Sequence, residues 1–282
     1  MQGLIVFFIV LFACSLGSVS GIGGGIIIKP LMDAMGGFSA ASVNAMASVT
    51  VLTMTTVSII KSRENARGIN WRIVLFFAVG SMVGGVVGNT MLAKFIANAA
   101  NDAIVTIVQS IFQILLVLLV ILNEFIGQKI PHYHIKNPGL MMFIGIFLGI
   151  IAAFLSIGGG LFNRPLLIIL VSMASKTAVF SSLCIIFFAQ ASNVITMGIT
   201  THFSNIDPHV MGFMMIAAVL GGYIGGTIAT KVNEKYFDRL FLMTLVVILG
   251  LNIFNLMRYI ISNKKAVGTN CSYSLFVRKY NP

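Results

Sequence analysis

Charge is what this chain has least of. Its 282 residues carry 18 Lys+Arg and 7 Asp+Glu, 9% of the total, where soluble domains carry about 25%. That shortage excludes an ordinary soluble enzyme. The acids are scattered, and the four histidines (His132, His134, His202, His209) fall in expected loops or at helix ends, with no His–Glu pair at metal-ligand spacing inside an apolar run. Neither a catalytic carboxylate pair nor a metal centre nor a proton relay is legible, so the chain reads as a non-enzyme without a cofactor. His132-Tyr133-His134 reads as a solvated linker. Cysteine is scarce too: Cys14, Cys184 and Cys271 lie far apart and form neither a metal spacing nor a disulfide framework.

Apolar residues are there in abundance, at 58% hydrophobic and a mean hydropathy of +1.01. Charge-free runs occupy 1–28, 34–60, 73–93, 103–123, 137–163, 177–206, 208–230 and 240–257. Each is long enough for a helix across a bilayer, which takes about 20 residues. The expected fold is an all-α membrane protein, a polytopic helical bundle of about eight transmembrane segments. A net charge of +11 would suggest nucleic acid in a soluble protein, but Lys61, Arg63, Arg67 and Arg72 crowd one loop between two apolar runs. That is the pattern of cytoplasmic loops, so lipid and not nucleic acid is the expected surrounding. The first ten residues carry no Lys or Arg and the apolar run continues past Cys14 to Ile28, which reads as a span rather than a cleaved signal.

One unit is written twice. Gly21-Ile22-Gly23-Gly24-Gly25-Ile26-Ile27-Ile28-Lys29-Pro30 returns 135 residues later as Ser156-Ile157-Gly158-Gly159-Gly160-Leu161-Phe162-Asn163-Arg164-Pro165. Gly84-Gly85-Val86-Val87-Gly88 returns as Gly221-Gly222-Tyr223-Ile224-Gly225. The reading is a first transmembrane repeat over 1–125, a polar linker over 126–137, a second repeat over 138–258 and a polar tail over 259–282. Within each repeat the three glycines predict a break in the helix, unwound over Gly23–Lys29, with a half-helix starting at the proline. Irregular backbone at membrane depth is tolerated where it lines a cavity, so paired breaks point to a transport site. If the broken segments turn back, the repeats are inverted; if they cross, parallel. The distribution of Lys and Arg is slightly more one-sided for the inverted arrangement.

Candidate site residues follow from the breaks. Lys29 and Arg164 sit one per repeat at the break, where an ionised side chain is costly, and no acid is duplicated beside them. Asp33 follows Lys29, but Ile168 stands at the matching place. A mobile anion as counter-ion is one reading, assisted by free N–H groups of Gly23, Gly24, Gly25, Gly158, Gly159 and Gly160. Side chains that reach an interface or local carbonyls are the other. Ser48, Ser182, Gln190 and Asn193 in the long helices would add neutral donors that suit an oxyanion; interhelical hydrogen bonding is their alternative role. The glycine set around Gly84 and Gly221 reads as close helix packing.

These features together resemble the TauE/SafE family of sulfite and organosulfonate exporters. The resemblance rests on the doubled Gly-rich unit ending in proline, on hydroxyls at Ser48 and at Ser181-Ser182-Leu183, and on loops Gly68-Ile69-Asn70-Trp71 and Asn205-Ile206-Asp207-Pro208. It covers about residues 5 to 258. It implies a multi-pass secondary transporter for anions such as sulfite, sulfoacetate, taurine-related sulfonates or thiosulfate, with possible homodimers. It also points to the glycines at 23–25 and 158–160 and to Ser48 and Ser182. Lys29 and Arg164 depart from the family, whose residue before the proline is more often apolar, as does Pro208 in place of a tryptophan. An anion channel and a non-transporting membrane scaffold are the alternatives.

Overall fold

The computed structural model describes residues 2–35, 38–98, 102–126, 135, 137–155, 157, 160–200, 207–233 and 236–258. The linker at 127–134, Ser156, Gly158, Gly159, the loop at 201–206 and the tail lie outside them. The described residues contain no strand. Their helices are α1 (Gln2–Ser20), α2 (Gly25–Met35), α3 (Ala40–Lys61), α4 (Trp71–Asn98), α5 (Asp102–Ile126), α6 (Pro138–Phe154), α7 (Gly160–Val171), α8 (Ser175–Thr200), α9 (Pro208–Lys231) and α10 (Tyr236–Arg258). A short 3-10 turn, Arg63–Ala66, follows α3.

Seven of these helices are long and apolar enough to cross a membrane, and α6, at 17 residues, is about 25 Å long. The 11 residues of α2 and the 12 of α7 reach only about 16 and 18 Å, so these two are half-helices. The helices start where local chemistry says they should. Ser39 caps α3, Asn137 caps α6 ahead of Pro138, and Asp207 caps α9 ahead of Pro208. Pro208 is therefore a sound first-turn residue.

The break is shorter than the glycines and proline suggest. Gly21 and Gly23 take φ of 73° and 81°, the Gly23 N–H donates to the Gly17 carbonyl at 3.2 Å, and α2 begins at once, with Ile27 and Ile28 donating to the Gly24 carbonyl. The expected unwinding over Gly23–Lys29 is thus corrected to Gly21–Gly24. Pro30 and Pro165 are each the sixth residue of a half-helix, where each removes a single ladder bond while keeping a helical φ. The chain also doubles back: a Cβ at Gly17 would meet the Gly24 nitrogen at 2.5 Å, and Gly24 packs on Ala13 and Cys14. So α2 returns along α1.

Two glycine seams bind the halves together. On α4, Cβ atoms at Gly80, Gly84 and Gly88 would lie 2.2, 2.1 and 2.4 Å from the carbonyls of Met142, Ile146 and Ile150 on α6. On α9, Gly221 and Gly225 press on Leu11 and Ser15 of α1 in the same way. Only residues without a side chain let backbones approach this closely. The packing role expected for these glycines is what the structure shows.

The seams also give direction. Contact positions rise together along α1 and α9, along α3 and α9 (Met54 with Gly222, Ser58 with Gly226), and along α4 and α6. Each of these pairs is parallel. Because α4 starts where α3 ends and runs back, α1 and α6 point in opposite directions. One end of the bundle collects Lys61, Arg63, Arg67, Arg72, Lys176, Lys231 and Arg239; the other has Lys94 and Arg258 among the described residues.

Candidate functional site

The two breaks meet. A Cβ at Gly160 would fall 1.7 Å from the Ile22 carbonyl oxygen, and one at Gly25 would fall 3.3 Å from the Ile157 carbonyl oxygen. Each half-helix therefore begins against the other break's backbone. Since α2 and α7 leave this crossing toward opposite ends, their positive N-terminal ends converge on it. The long helices α3 and α8 flank the crossing: Gly23 touches Ile186 and Val51, and Gly25 touches Val51. Ser182 on α8 donates to the Gly21 carbonyl at 2.6 Å. Ser48, one turn before Val51 on α3, is buried.

Beside the crossing, α4, α6, α7 and α8 line a small polar cavity of about 10 Å³, room for about one water. Its polar lining comes from Ser81, Asn163 and Asn193; Gly85 leaves the space open, while Gly149 lets α6 close on the Ser81 backbone. Asn193 donates to Gln190 Oε1 at 2.9 Å, whereas its own buried Oδ1 has no hydrogen-bond partner among the described residues. A Cβ on Gly85 would sit 3.1 Å from that oxygen. Turning both amides over keeps the 2.9 Å bond and presents Asn193 Nδ2 to the cavity. The cavity thus holds neutral, reversible polar groups.

The two cations are not at this cavity, and they are not unpaired. Lys29 and Asp33 form an ion pair at 2.9 Å, both side chains below 10% exposed (2% and 8%). Arg164 is fully buried, bonds through Nη2 to the Asp238 carboxylate of α10 and lies 4.3 Å from the centre of the Phe241 ring. Ser175 Oγ donates to the same carboxylate at 3.1 Å, and Glu124 of α5 acts on both charges. The expectation of unpaired cations is corrected. For Lys29 the partner is one helical turn away on its own element; for Arg164 it lies 74 residues along the chain.

Nor can one small anion bridge the pair. Arg164 meets the first turn of α10, while the carbonyl next to Lys29, that of Pro30, accepts from Asn255 near its last turn at 2.6 Å. Seventeen residues of helix separate Asp238 from Asn255, about 25 Å. Sequence reasoning missed Asp238, Glu124 and Asn163. A signal for the first exists: Asp102 precedes Asp238 by 136 residues, the same offset as the doubled motifs to within one. Of the other expected site residues, Gly158 and Gly159 lie outside the described residues.

Comparison with known proteins agrees with this architecture. The family described as Sulfite exporter TauE/SafE matches residues 6–253. A protein of Bacillus subtilis (strain 168) named "Probable membrane transporter protein YunE" is 23% identical over 263 residues, covering 85% of this chain and 91% of its own length. No solved structure matches.

Proposed function

The chain belongs to the sulfite exporter TauE/SafE family, a family of multi-pass membrane transporters; from that premise we propose that it is a secondary carrier for a small oxyanion of the sulfite, sulfonate or thiosulfate kind. The substrate binds beside the crossed breaks, between Ser81, Asn163 and Asn193, in a state in which the helices part to widen this gap, with Gln190 orienting Asn193, Ser48 adding a hydroxyl from α3, and Ser182 and the glycines at 23–25 and 158–160 shaping the breaks. Lys29 and Arg164 anchor the half-helices through their carboxylates and leave the substrate to neutral donors, which release as readily as they bind. The halves arose as an inverted repeat, and rocking of one against the other alternates access. The basic end faces the cytoplasm of the cell's inner membrane.

The observation that carries this reading is the buried Asn193 amide, one end of which has no partner among the described residues, facing a small polar cavity beside the crossing of two half-helix N-termini. Reconstituted protein should take up labelled sulfite or sulfoacetate saturably and show trans-stimulation by unlabelled substrate. Asn193→Leu should raise the half-saturation concentration about tenfold, the loss of roughly one hydrogen bond to a charged group. Flux that neither saturates nor counterflows would identify a channel. Absence of any anion-induced thermal shift would identify a scaffold.

A further inference from the structure

At the basic end, the end of α9 and the start of α10 border an open groove of about 560 Å³ that belongs neither to the crossed breaks nor to the cavity. Its mouth carries Lys231 and Arg239, both exposed, with Asn233 between them and Tyr236 57% exposed at the rim. Its floor is apolar: Val232, Leu240 and Met243, the last 58% exposed on the outward face of a membrane-spanning helix. Asp238, next to Arg239, is turned away to Arg164. Two cations and an amphipathic tyrosine bordering an aliphatic strip match a molecule with a negative head and a hydrocarbon body. A soluble anion would use the mouth and leave the floor wet.

We infer that this groove is a binding site for an anionic phospholipid, its phosphate held by Lys231 and Arg239 and its chain lying along Leu240 and Met243. Basic pockets between helices on the cytoplasmic side hold acidic headgroups in this way, whereas scattered surface cations attract them without a seat. The site also has a mechanical position. Arg239 faces the groove while its neighbour Asp238 holds Arg164 of α7, so a bound lipid pins the same turn of α10 that grips the second half-helix.

The full chain, purified in detergent, would be titrated with phosphatidylglycerol and with phosphatidylcholine, and lipid retention read by native mass spectrometry. The unaltered protein should retain phosphatidylglycerol preferentially, and Lys231→Gln with Arg239→Gln should lower that retention about tenfold. Arg63→Gln with Arg67→Gln, an equal charge loss at the same end but outside the groove, should leave it unchanged. Met243→Asp, which keeps the cations and spoils the floor, should also weaken retention. Equal loss in both charge pairs would reduce the effect to general attraction and overturn the site, as would no loss in either. Full displacement by millimolar inorganic phosphate would assign the mouth to a soluble anion and overturn it too. Because the readout is lipid retention, failure here leaves the oxyanion reading intact, and failure of sulfite uptake leaves the lipid site intact.

Discussion

The two halves present the same five helices in the same order, yet they use their polar groups differently. In the first, the half-helix cation is satisfied one turn away, Lys29 by Asp33 on α2 itself. In the second, Arg164 on α7 reaches to α10, and Ser175 and Glu124 join from α8 and α5. The glycine-flanked helices contrast the other way: Gly85 of the first half faces the cavity and an unpartnered amide oxygen, while its counterpart Gly222 in the second half is packed on the Met54 carbonyl. The open space lies where α4 of the first half meets α6, α7 and α8 of the second, while α1, α3 and α9 close on one another. On the proposed function, the side of α4, α6, α7 and α8 is the working one and the side of α1, α3 and α9 the bracing one.

The sharpest test of this contrast is at the crossing itself. Gly160→Ala would drive a methyl into the Ile22 carbonyl, where backbone must move, and should cost about 3 kcal/mol or more. Gly25→Ala meets its nearest atoms at 3.2 and 3.3 Å and should cost about 1 kcal/mol. Thermal unfolding in detergent would measure both. Equal costs would mean that the crossing relaxes symmetrically and that the difference between the halves is not built into the backbone.

The ion pairs come next. Asp33→Asn strands a buried lysine and should cost about 3 kcal/mol. Asp238→Asn should cost at least as much, about 3 kcal/mol, because it strands the fully buried Arg164, whose Nε and Nη1 have no other hydrogen-bond partner among the described residues. Its larger effect should be on transport rate, since it unties α7 from α10. If Asp33→Asn slowed uptake and Asp238→Asn did not, the assignment of working and bracing sides would be reversed.

The fold was legible because its signals are one-dimensional. Charge-free runs locate spans, and doubled glycines locate the breaks and seams without any knowledge of packing. What the sequence did not disclose depended on distance along the chain. Lys29 and Arg164 occupy equivalent positions, and nothing local says that one is paired within its own helix and the other across 74 residues. The half-helix start was misplaced for a different reason: a proline marks a favourable first turn, but glycines alone suffice to reverse the chain, and the helix begins as soon as Gly24 can accept. Gln190 and Asn193 stood out as polar in an apolar run, but Asn163 joins them only because α7 folds back toward α8.

The cavity offers a subtler comparison. Gly85→Ala places a methyl 3.1 Å from Asn193 Oδ1 with no backbone atom nearer than 3.9 Å, so it should leave unfolding nearly unchanged while raising the half-saturation concentration for the anion several-fold. Gly222→Ala would lie 2.7 Å from the Met54 carbonyl and should destabilise by about 1–2 kcal/mol with little change in apparent affinity. Matching transport defects in the two variants would place substrate contacts on both sides of the bundle and abolish the distinction between them.

The smallest expected difference lies in the serines. Ser182 Oγ holds the Gly21 carbonyl at 2.6 Å, an acceptor that the turn at Gly21–Gly24 leaves outside the helical ladder, so Ser182→Ala should cost about 1 kcal/mol and loosen the first break from the second half's long helix. Ser48 is equally buried but has no such reach across the halves, and Ser48→Ala should stay within about 0.5 kcal/mol. Hydrogen exchange at Gly23 and Gly24 should report the same ordering, faster in Ser182→Ala than in Ser48→Ala. Equal exchange in the two variants would mean that the glycines hold the break unaided and that the serine is there for the substrate alone.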